Sequence, residues 1–350
     1  MIPILFEPKE TEFTTNGIGL LYDCISCQVT EERNGIYELE MEYPVTGAHF
    51  NDISLGSIIG AEHDENQDIQ PFDIYAFTKP LNGIVTFYAH HISYRLRGSV
   101  AKGTGITTVY DAFYMFRNAV PSTPFRYESD IFTPGVMSSA NGLPHTVRDY
   151  LGGSEGSMLD TWGGEYEFDK FIVKLLSSRG EVKDIKIRYG VNMTDFSYDS
   201  DYSELITAVV PYWTNGTNTV IGNIVYSGLS PFDYQEICVP LDVSDKFESQ
   251  PQQADVEAAG LSYMMTNQTY LPLQNIKVKF INLSDSEEYK QFEDLQRCCL
   301  CDSITVVFPF YNVEGTFKIV KTVWNVLQER YTEMELGNLP ISLAQALGIK

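Results

Sequence analysis

The chain has 350 residues, and its 47 Asp and Glu against 24 Lys and Arg give a formal net charge of −23 at pH 7. This length favours two to four domains. The acidic balance argues against a surface that binds nucleic acid or an anionic membrane, because both require clustered Lys and Arg. The 22 Tyr and 20 Phe favour β-structure. No stretch approaches the roughly 18 apolar residues of a membrane helix, and residues 1–7 do not resemble a secretory signal, so we expect cytoplasmic synthesis without a stable membrane anchor.

Residues 1–97 carry patterns typical of strands. Residues 36–43 alternate apolar and acidic side chains, which indicates a half-buried strand. They follow Asn34-Gly35, a strong hairpin signal. Further strands are predicted at 57–61, 72–77 and 84–89, with Asn82-Gly83 as the turn between the last two. Short strands joined in this way favour a small antiparallel barrel or sandwich, and we assign a first β-barrel domain to residues 1–97.

Residues 98–192 have a mixed pattern. Thr107 or Thr108 can cap a helix whose apolar face would hold aromatic side chains at 110, 113, 114 and 116. A second helix is predicted over 144–150, with Pro144 in its first turn. Residues 163–175 alternate around Asp169-Lys170, which predicts a hairpin. We therefore assign an α+β module to residues 98–192.

The rest of the chain predicts a second barrel with an insertion. Strands are predicted between 185 and 226 and at 303–309, 315–325 and 331–336, so the second barrel would comprise 193–250 together with 298–350. The inserted module, 251–297, would contain a helix over 253–269, a strand over 275–281 and a helix over 284–297. Ser284 and Glu287 have capping-box spacing at the start of that last helix. The predicted fold class is α+β, predominantly antiparallel β, with two small β-barrels and inserted α+β modules.

A strand–loop–strand pattern occurs twice. Residues 55–59 precede the strand at 72–75, and residues 301–306 precede the strand at 317–320 at almost the same interval. Each pair is followed by another amphipathic strand. Chance could produce this similarity, and so could the internal duplication of one barrel.

The search for catalytic chemistry singles out no residue. We find no nucleophile elbow, no P-loop and no H-E-x-x-H motif. The five histidines are scattered, and His90-His91 at a strand end should place one ring inside and one outside. With 47 acidic residues, no pair of carboxylates stands out as a glycosidase dyad. We therefore expect no catalytic residue, no metal and no cofactor.

Two features of the sequence could indicate a metal site, and neither does so strongly. Cys24 and Cys27, with Cys298, Cys299 and Cys301, could supply thiolate ligands for zinc. Cys24 and Cys27 should lie on opposite faces of one strand, so buried or unreactive reduced thiols are favoured. Residues 195–204 have acidic spacing faintly like a calcium loop but lack its central glycine, so a solvated loop is favoured.

Several short motifs together resemble the prophage endopeptidase tail family, also described as the N-terminal region of phage minor structural proteins or tail-associated lysins. The motifs are spread along almost the whole chain, at residues 34–41, 70–75, 91–96, 162–169, 179–192, 302–306 and 329–337. Among them are His91-Ile92-Ser93-Tyr94-Arg95-Leu96 and the "G-G-E" hairpin at Gly163. The sequence departs from the family where Ala208 replaces an expected arginine and in its cysteine-rich 298–301 stretch.

The resemblance implies a structural baseplate hub. Each chain would carry two barrels like tail-tube subunits, and three chains would form a pseudo-sixfold ring at the virion tail tip after synthesis in the bacterial host cytoplasm. Implied partners are two further copies, the distal tail protein or tail tube, and tail-tip or receptor-binding components, with phage DNA passing through without specific binding. The family's peptidoglycan-cleaving activity is expected in a separate C-terminal domain, and this chain ends at Lys350. The alternative is a cell-wall hydrolase with a cryptic site in these 350 residues.

The acidic side chains of one predicted strand are candidates for the ring's inner wall. Glu38, Glu40 and Glu42 should share one face because side chains alternate along a strand. An acidic lumen would repel the phosphates of DNA, so that the duplex slides without sticking. Solvation of the outer surface is the equally open alternative for these glutamates.

Overall fold

The computed structural model describes residues 1–66, 68–119, 123–152, 154–190, 193–228, 236–247, 249–267, 269–271, 273–280, 298–311 and 313–337. Four α-helices occur in these ranges: α1 Val109–Ala119, α2 Val147–Leu151, α3 Met158–Trp162 and α4 Gln253–Asn267. The strands in the same ranges are β1 Ile4–Phe6, β2 Gly19–Leu20, β3 Ser26–Glu32, β4 Tyr37–Pro44, β5 Ile58–Glu62, β6 Ile69–Thr78, β7 Ile84–His91, β8 Val100–Ala101, β9 Arg126–Ser129, β10 His145–Thr146, β11 Glu165–Asp169, β12 Ile172–Leu176, β13 Val182–Arg188, β14 Met193–Asp201, β15 Ala208–Thr214, β16 Thr219–Ile221, β17 Val225–Tyr226, β18 Cys238–Asp242, β19 Leu273–Phe280, β20 Ser303–Phe308, β21 Val313–Asn325 and β22 Arg330–Gly337.

One sheet of 13 strands dominates the described residues. Its order is β14-β19-β22-β21-β3-β4-β7-β6-β5-β1-β2, and β20 branches from β21 and continues to β13. Only the β13/β20 pair within it is parallel. Smaller sheets contain β8 with β10, β9 with β11 and β12, and β15 with β16, β17 and β18. The predicted α+β, predominantly antiparallel fold is confirmed. Pairing among the described strands closes neither barrel, so the two barrels and the four domain boundaries stay predictions.

The predicted hairpins form where the sequence places turn residues. Asn34 between β3 and β4 has φ 57°, Gly83 between β6 and β7 has φ 76°, and Lys170 between β11 and β12 has φ 51°. A positive φ at these positions gives a tight turn whose twist matches that of the flanking strands. On β4 the buried residues alternate with half-buried or exposed ones, as the apolar–acidic alternation predicts.

Helix α1 is capped as predicted but buries a different face. The Oγ1 of Thr108 accepts a hydrogen bond from the Asp111 amide at 3.1 Å. Phe113 and Phe116 are buried, whereas Tyr110 and Tyr114 are exposed. The prediction of one face holding all four rings is wrong, because residues 110 and 114 are one turn apart on the side that faces solvent.

The second predicted helix begins three residues later than expected. Helix α2 starts at Val147, and Thr146 with Asp149 forms a capping box at its N-terminus. Pro144 therefore lies before the helix rather than in its first turn, which corrects the prediction. Helix α4 confirms the helix predicted over 253–269. The helix predicted over 284–297 lies outside the described residues.

Three apolar cores hold these elements. The largest lies under β1–β7, α1 and α2 and the sheet of β9, β11 and β12, and it includes Trp324 from β21. A second core lies between β13, β14 and β19–β22. A small third core joins α4 to the sheet around β15. None of the described helices is long and apolar enough to cross a membrane.

Candidate assembly surfaces

Five strands from each half of the chain pair in the same order. The first half has the order β5-β6-β7-β4-β3, and the second half has β20-β21-β22-β19-β14. Taken along the chain, β3, β4, β5, β6 and β7 correspond in turn to β14, β19, β20, β21 and β22. We call these sets the first unit and the second unit. The pattern that occurs twice in the sequence thus corresponds to a repeated strand pairing. The repeat extends to strands that the sequence pattern did not include.

Individual hydrogen bonds repeat between the units. The Ile74 amide donates to the carbonyl of Ser57 at 3.0 Å, and the Ile319 amide donates to the carbonyl of Asp302 at 2.8 Å. Ile58 lies opposite Asp73 in the first unit, as Ser303 lies opposite Lys318 in the second. The two units therefore share their register as well as their topology.

The turn before β5 also has its counterpart before β20. Gly56 has φ 85° and donates to the Ile74 carbonyl at 2.8 Å. Cys301 has φ 73° and donates to the Ile319 carbonyl at 2.9 Å. A cysteine thus adopts the left-handed backbone for which the first unit uses glycine.

Both long strands carry a bulge at the same point. The β6/β7 register shifts between Ile74 and Ala76, and the β21/β22 register shifts between Ile319 and Lys321. One extra residue on the bulged strand bends it and increases its twist. The second halves of β6 and β21 therefore leave the sheet direction of their first halves in the same way.

The two units are joined by strand pairing between β3 and the second half of β21. The Arg33 amide donates to the Val320 carbonyl at 2.8 Å, and the Val326 amide donates to the Cys27 carbonyl at 2.9 Å. The pair is antiparallel, with Val323 opposite Thr30. We call this contact the internal junction.

The candidate channel-lining glutamates share one face of β4, as predicted. Glu38 and Glu42 are half-buried and Glu40 is exposed, while the residues between them are buried in the core. The Oε1 of Glu38 lies 3.3 Å from the Nε2 of His90, whose ring stacks on that of Tyr75 at 3.8 Å. At the corresponding register positions the second unit has Asn275, Lys277 and Lys279.

A buried ionic cluster lies beside the internal junction. The Nη1 of Arg179 lies 2.6 Å from the Oε1 of Glu31, and the Nδ1 of His63 lies 3.2 Å from the Oε2 of the same carboxylate. The other ring nitrogen of His63 is 3.7 Å from Asp64. Glu31, His63 and Asp64 are all buried. Such a cluster is costly to break because it would leave an unpaired charge in the interior.

The pKa values in this cluster follow from mutual charge. Burial alone would raise the pKa of Glu31, but the Arg179 charge and the His63 hydrogen bond hold it well below its usual range. Burial alone would lower the pKa of His63. The charge of Asp64 and the hydrogen bond between His63 and Glu31 raise this pKa instead. The cluster therefore favours the charged forms of Glu31 and His63.

A second buried carboxylate extends the cluster to β21. Glu165 accepts a hydrogen bond from the Lys318 ammonium at 2.7 Å and one from the Arg179 amide at 2.8 Å. The sheet of β9, β11 and β12 is thereby fastened to both units. Arg179 and Glu165 belong to sequence motifs noted above, but the pairing of Arg179 with Glu31 joins residues far apart in the chain and left no local signal.

The second unit matches a known protein family in sequence. The strands β13, β14 and β19–β22 all lie within residues 182–346, the stretch that matches the sequence model of the prophage endopeptidase tail family. A search of curated proteins gave no match.

Solved prophage tail proteins share the fold of the whole chain. Prophage tail protein gp18 from Listeria monocytogenes EGD-e is 15% identical with a TM-score of 0.61, and 99% of this chain aligns with 98% of it. The tail protein from Neisseria meningitidis MC58 is 9% identical with a TM-score of 0.60, over 99% and 98% of the two chains. The 43 kDa tail protein of prophage MuSo2 from Shewanella oneidensis is 7% identical with a TM-score of 0.60, over 99% and 100%. At these identities the similarity is one of fold.

The cysteines of this chain are all free thiols. The prediction that Cys24 and Cys27 lie on opposite faces of a strand is wrong, because β3 begins only at Ser26. Burial raises the pKa of Cys27, and a hydrogen bond with the Cys24 thiol raises it further. Cys298 and Cys301 are buried. Among the described residues, no group of three or more His, Cys, Asp or Glu is placed to hold a metal ion.

The predictions for two further segments are wrong. The acidic run that begins at Asp195 lies on β14 up to Asp201 rather than in a solvated loop. Residues 152–156 spell G-x-S-x-G, contrary to the expectation that the sequence holds no such motif. They lie between α2 and α3 instead of in a strand-to-helix turn, and the Ser154 hydroxyl donates to the Asp149 carbonyl at 3.0 Å. This is not the geometry of a nucleophile elbow.

Proposed function

We propose that this chain is a structural hub of a phage tail that assembles as a trimeric ring at the tail tip. The duplicated five-strand unit carries the proposal, because three chains with two similar units each give a ring of six similar units. Such a ring can join a sixfold tube to a threefold tip. Closed cyclic symmetry is also the common outcome for soluble homo-oligomers. The family match and the shared fold of prophage tail proteins support a tail component.

In this position the ring would join two kinds of neighbour. The distal tail protein or tail tube would contact one side, and tail-tip or receptor-binding components would contact the other. Phage DNA would pass through the centre without specific binding. Within this ring we assign Glu38, Glu40 and Glu42 to the inner wall, since they share the face of β4 opposite the core.

Size-exclusion chromatography coupled to light scattering tests the assembly. We expect a species with three times the mass of one chain, or a monomer that converts to it as the concentration rises. A stable dimer at high concentration would contradict the ring.

We also propose that the chain catalyses no reaction. Its large charge network at Glu31 and Arg179 is buried against the core rather than open to a substrate. A turbidity assay on purified cell walls should give no lysis above buffer, and elemental analysis should give far less than one zinc per chain. Lysis well above buffer would instead support the hydrolase alternative.

A further inference from the structure

The second half of β6 has an open edge among the described residues. In the second unit the same half of β21 is covered by β3 at the internal junction. In the first unit, β5 covers β6 only over Ile69–Asp73, and residues beyond the bulge pair only with β7. Phe77 is 40% exposed there, whereas Thr322, its counterpart on β21, is 2% exposed. The first unit therefore lacks the strand that covers the second.

A strand of the kind that could cover this open edge, β14, lies at the far end of the sheet. β14 corresponds to β3, and among the described strands it pairs only with β19. β3 uses its second edge for the internal junction, while β14 leaves the equivalent edge at the end of the sheet. Phe196 and Tyr198 on β14 are half-buried, whereas their counterparts Cys27 and Val29 are fully buried. One molecule thus carries both halves of a second junction, at opposite ends.

The surfaces flanking the junction show the same contrast. Beside the internal junction, the β5–β6 loop of the first unit contacts the turn before β20. The side-chain amide of Asn66 in that loop donates to the Cys299 thiol in the turn at 3.2 Å. Leu300 in the same turn is 3% exposed. The equivalent turn before β5 leaves Leu55 57% exposed. The equivalent loop, Pro309–Tyr311 between β20 and β21, leaves Phe310 72% exposed. Exposed apolar patches of this kind mark interaction sites.

We infer that β14 of one chain pairs antiparallel with the open half of β6 of a second copy, in the register of the internal junction. Val323 opposite Thr30 in the internal junction corresponds to Thr78 opposite Asp199 between chains. The Pro309–Tyr311 loop of the first chain then covers Leu55 of the second. This inference rests on the proposed ring and names the surface that builds it.

The backbone of β6 suits this register. At the internal junction Arg33 and Cys27 hydrogen-bond directly across to β21, so every second residue of β3 between them does the same. By correspondence, Phe77 and Lys79 offer their backbone groups to the incoming strand, whereas Thr78 and Pro80 do not. Pro80 lacks an amide proton, and in this register none is needed. An exposed edge with apolar side chains otherwise invites unspecific pairing, so its coverage is favoured.

Disulfide trapping tests the register. Thr78→Cys with Asp199→Cys, in a Cys238→Ser background that removes the exposed native thiol, should give a covalent trimer on oxidation. Pairs that are not hydrogen-bonded have Cα atoms about 4.5 Å apart, within the range of a disulfide. The matched control, Thr78→Cys with Ser197→Cys, shifts the pair by two residues to a separation of roughly 7–8 Å, beyond that range. Each single variant should give no covalent trimer.

The outcomes separate the junction from the ring. A trimer by light scattering that is not trapped, or is trapped equally by the shifted pair, overturns the β14–β6 junction and leaves the hub proposal standing. Absence of any trimer overturns the ring and the junction with it. Phe77→Glu provides a second measurement: it should raise the concentration for half-assembly by at least about tenfold, with an unchanged melting temperature of the monomer. Unaltered assembly of Phe77→Glu would also count against the junction.

Discussion

The pKa values of two buried histidines, His63 and His91, shift in opposite directions. His63 lies between Glu31 and Asp64, and their charges raise its pKa although burial opposes this. His91 is fully buried, its Nδ1 accepts from the Ser93 amide at 3.3 Å, and its Nε2 lies 3.3 Å from the Gln70 Oε1. Burial lowers the pKa of His91 to about 3. His63 thus favours the folded state at lower pH, and its contribution is lost as the pH rises through its raised pKa, whereas His91 acts in the opposite direction.

The first prediction concerns His91 and acid sensitivity. An unfolded histidine binds a proton below a pKa of about 6.5, whereas folded His91 does so only below about 3. Between these values its contribution to stability should fall by up to about 1.4 kcal/mol per pH unit as the pH decreases. His91→Gln should reduce this slope in denaturant titrations between pH 6.5 and 4. The control His49→Gln removes a more exposed ring, and equal slopes for both variants would contradict the prediction.

The second prediction concerns the buried ion pair. Arg179→Met leaves the buried Glu31 carboxylate with only His63 beside it, and we expect it to lower the free energy of unfolding by about 3–5 kcal/mol. The double variant with Glu31→Gln should lose clearly less than the sum of the two single variants. Arg33→Met is the matched control, since Arg33 approaches Glu165 at 3.4 Å from a more exposed position. Its cost should stay below about 1 kcal/mol, and a comparable cost for both arginines would refute the assignment.

At the scale of strands and turns, a left-handed residue begins each unit's outer hairpin. Gly56 has φ 85°, and a Cβ built on it meets no atom within 4 Å. The cost of a side chain there is therefore one of backbone conformation alone. Gly98 also has open space around its Cβ but does not have a positive φ, which makes it a suitable comparison.

The third prediction follows from that pair of glycines. Gly56→Ala should destabilise the protein by about 1 kcal/mol, since alanine strains at positive φ. Gly98→Ala should be neutral or slightly stabilising, because it only reduces the freedom of the unfolded chain. Thermal and denaturant unfolding of the two variants gives the comparison. Equal stabilities would show that backbone strain does not decide the turn before β5.

The sequence predicted local elements well and long-range pairings poorly. Asn34-Gly35 and Asn82-Gly83 specify hairpins because a short turn forms from neighbouring residues alone. The burial of α1 was misjudged because aromatic content at Tyr110 and Tyr114 was counted without the direction of the core. The correspondence of β3 and β4 with β14 and β19 left no pattern in the sequence, since their spacing along the chain differs and register depends on distant partners.

At the scale of the whole molecule, the large negative net charge bears on assembly. A net charge of −23 on each chain opposes assembly by repulsion unless the charges are kept apart. The glutamates of β4 alternate along the strand with residues that are buried in the core. At the corresponding positions β19 has Lys277 and Lys279. If units from the two halves alternate around a ring, the inner wall would not be uniformly acidic, which limits the repulsion that the assembly must overcome.

The fourth prediction tests the inner wall. Changing Glu38, Glu40 and Glu42 to lysine should create salt-sensitive binding of duplex DNA by the trimer, because counterions are released when lysines meet phosphates. The control changes Glu12, Glu128 and Glu155, which are exposed elsewhere, to lysine and matches the added charge. Fluorescence anisotropy with short duplexes at two salt concentrations measures both. Equal binding by the two variants, or tight binding by the unaltered protein, would rule out an acidic wall at β4.

The bulges at residues 75 and 320 set the direction in which each long strand leaves its unit. A molecule with complementary ends assembles head to tail, and such a series closes only if each step turns through a whole fraction of a circle. Any other angle produces an open helical filament. If β14 pairs with β6 of the next chain as we infer, the bend of β6 and β21 governs whether the proposed assembly closes as a ring or continues as a filament. A change that straightens one bulge would then favour the filament.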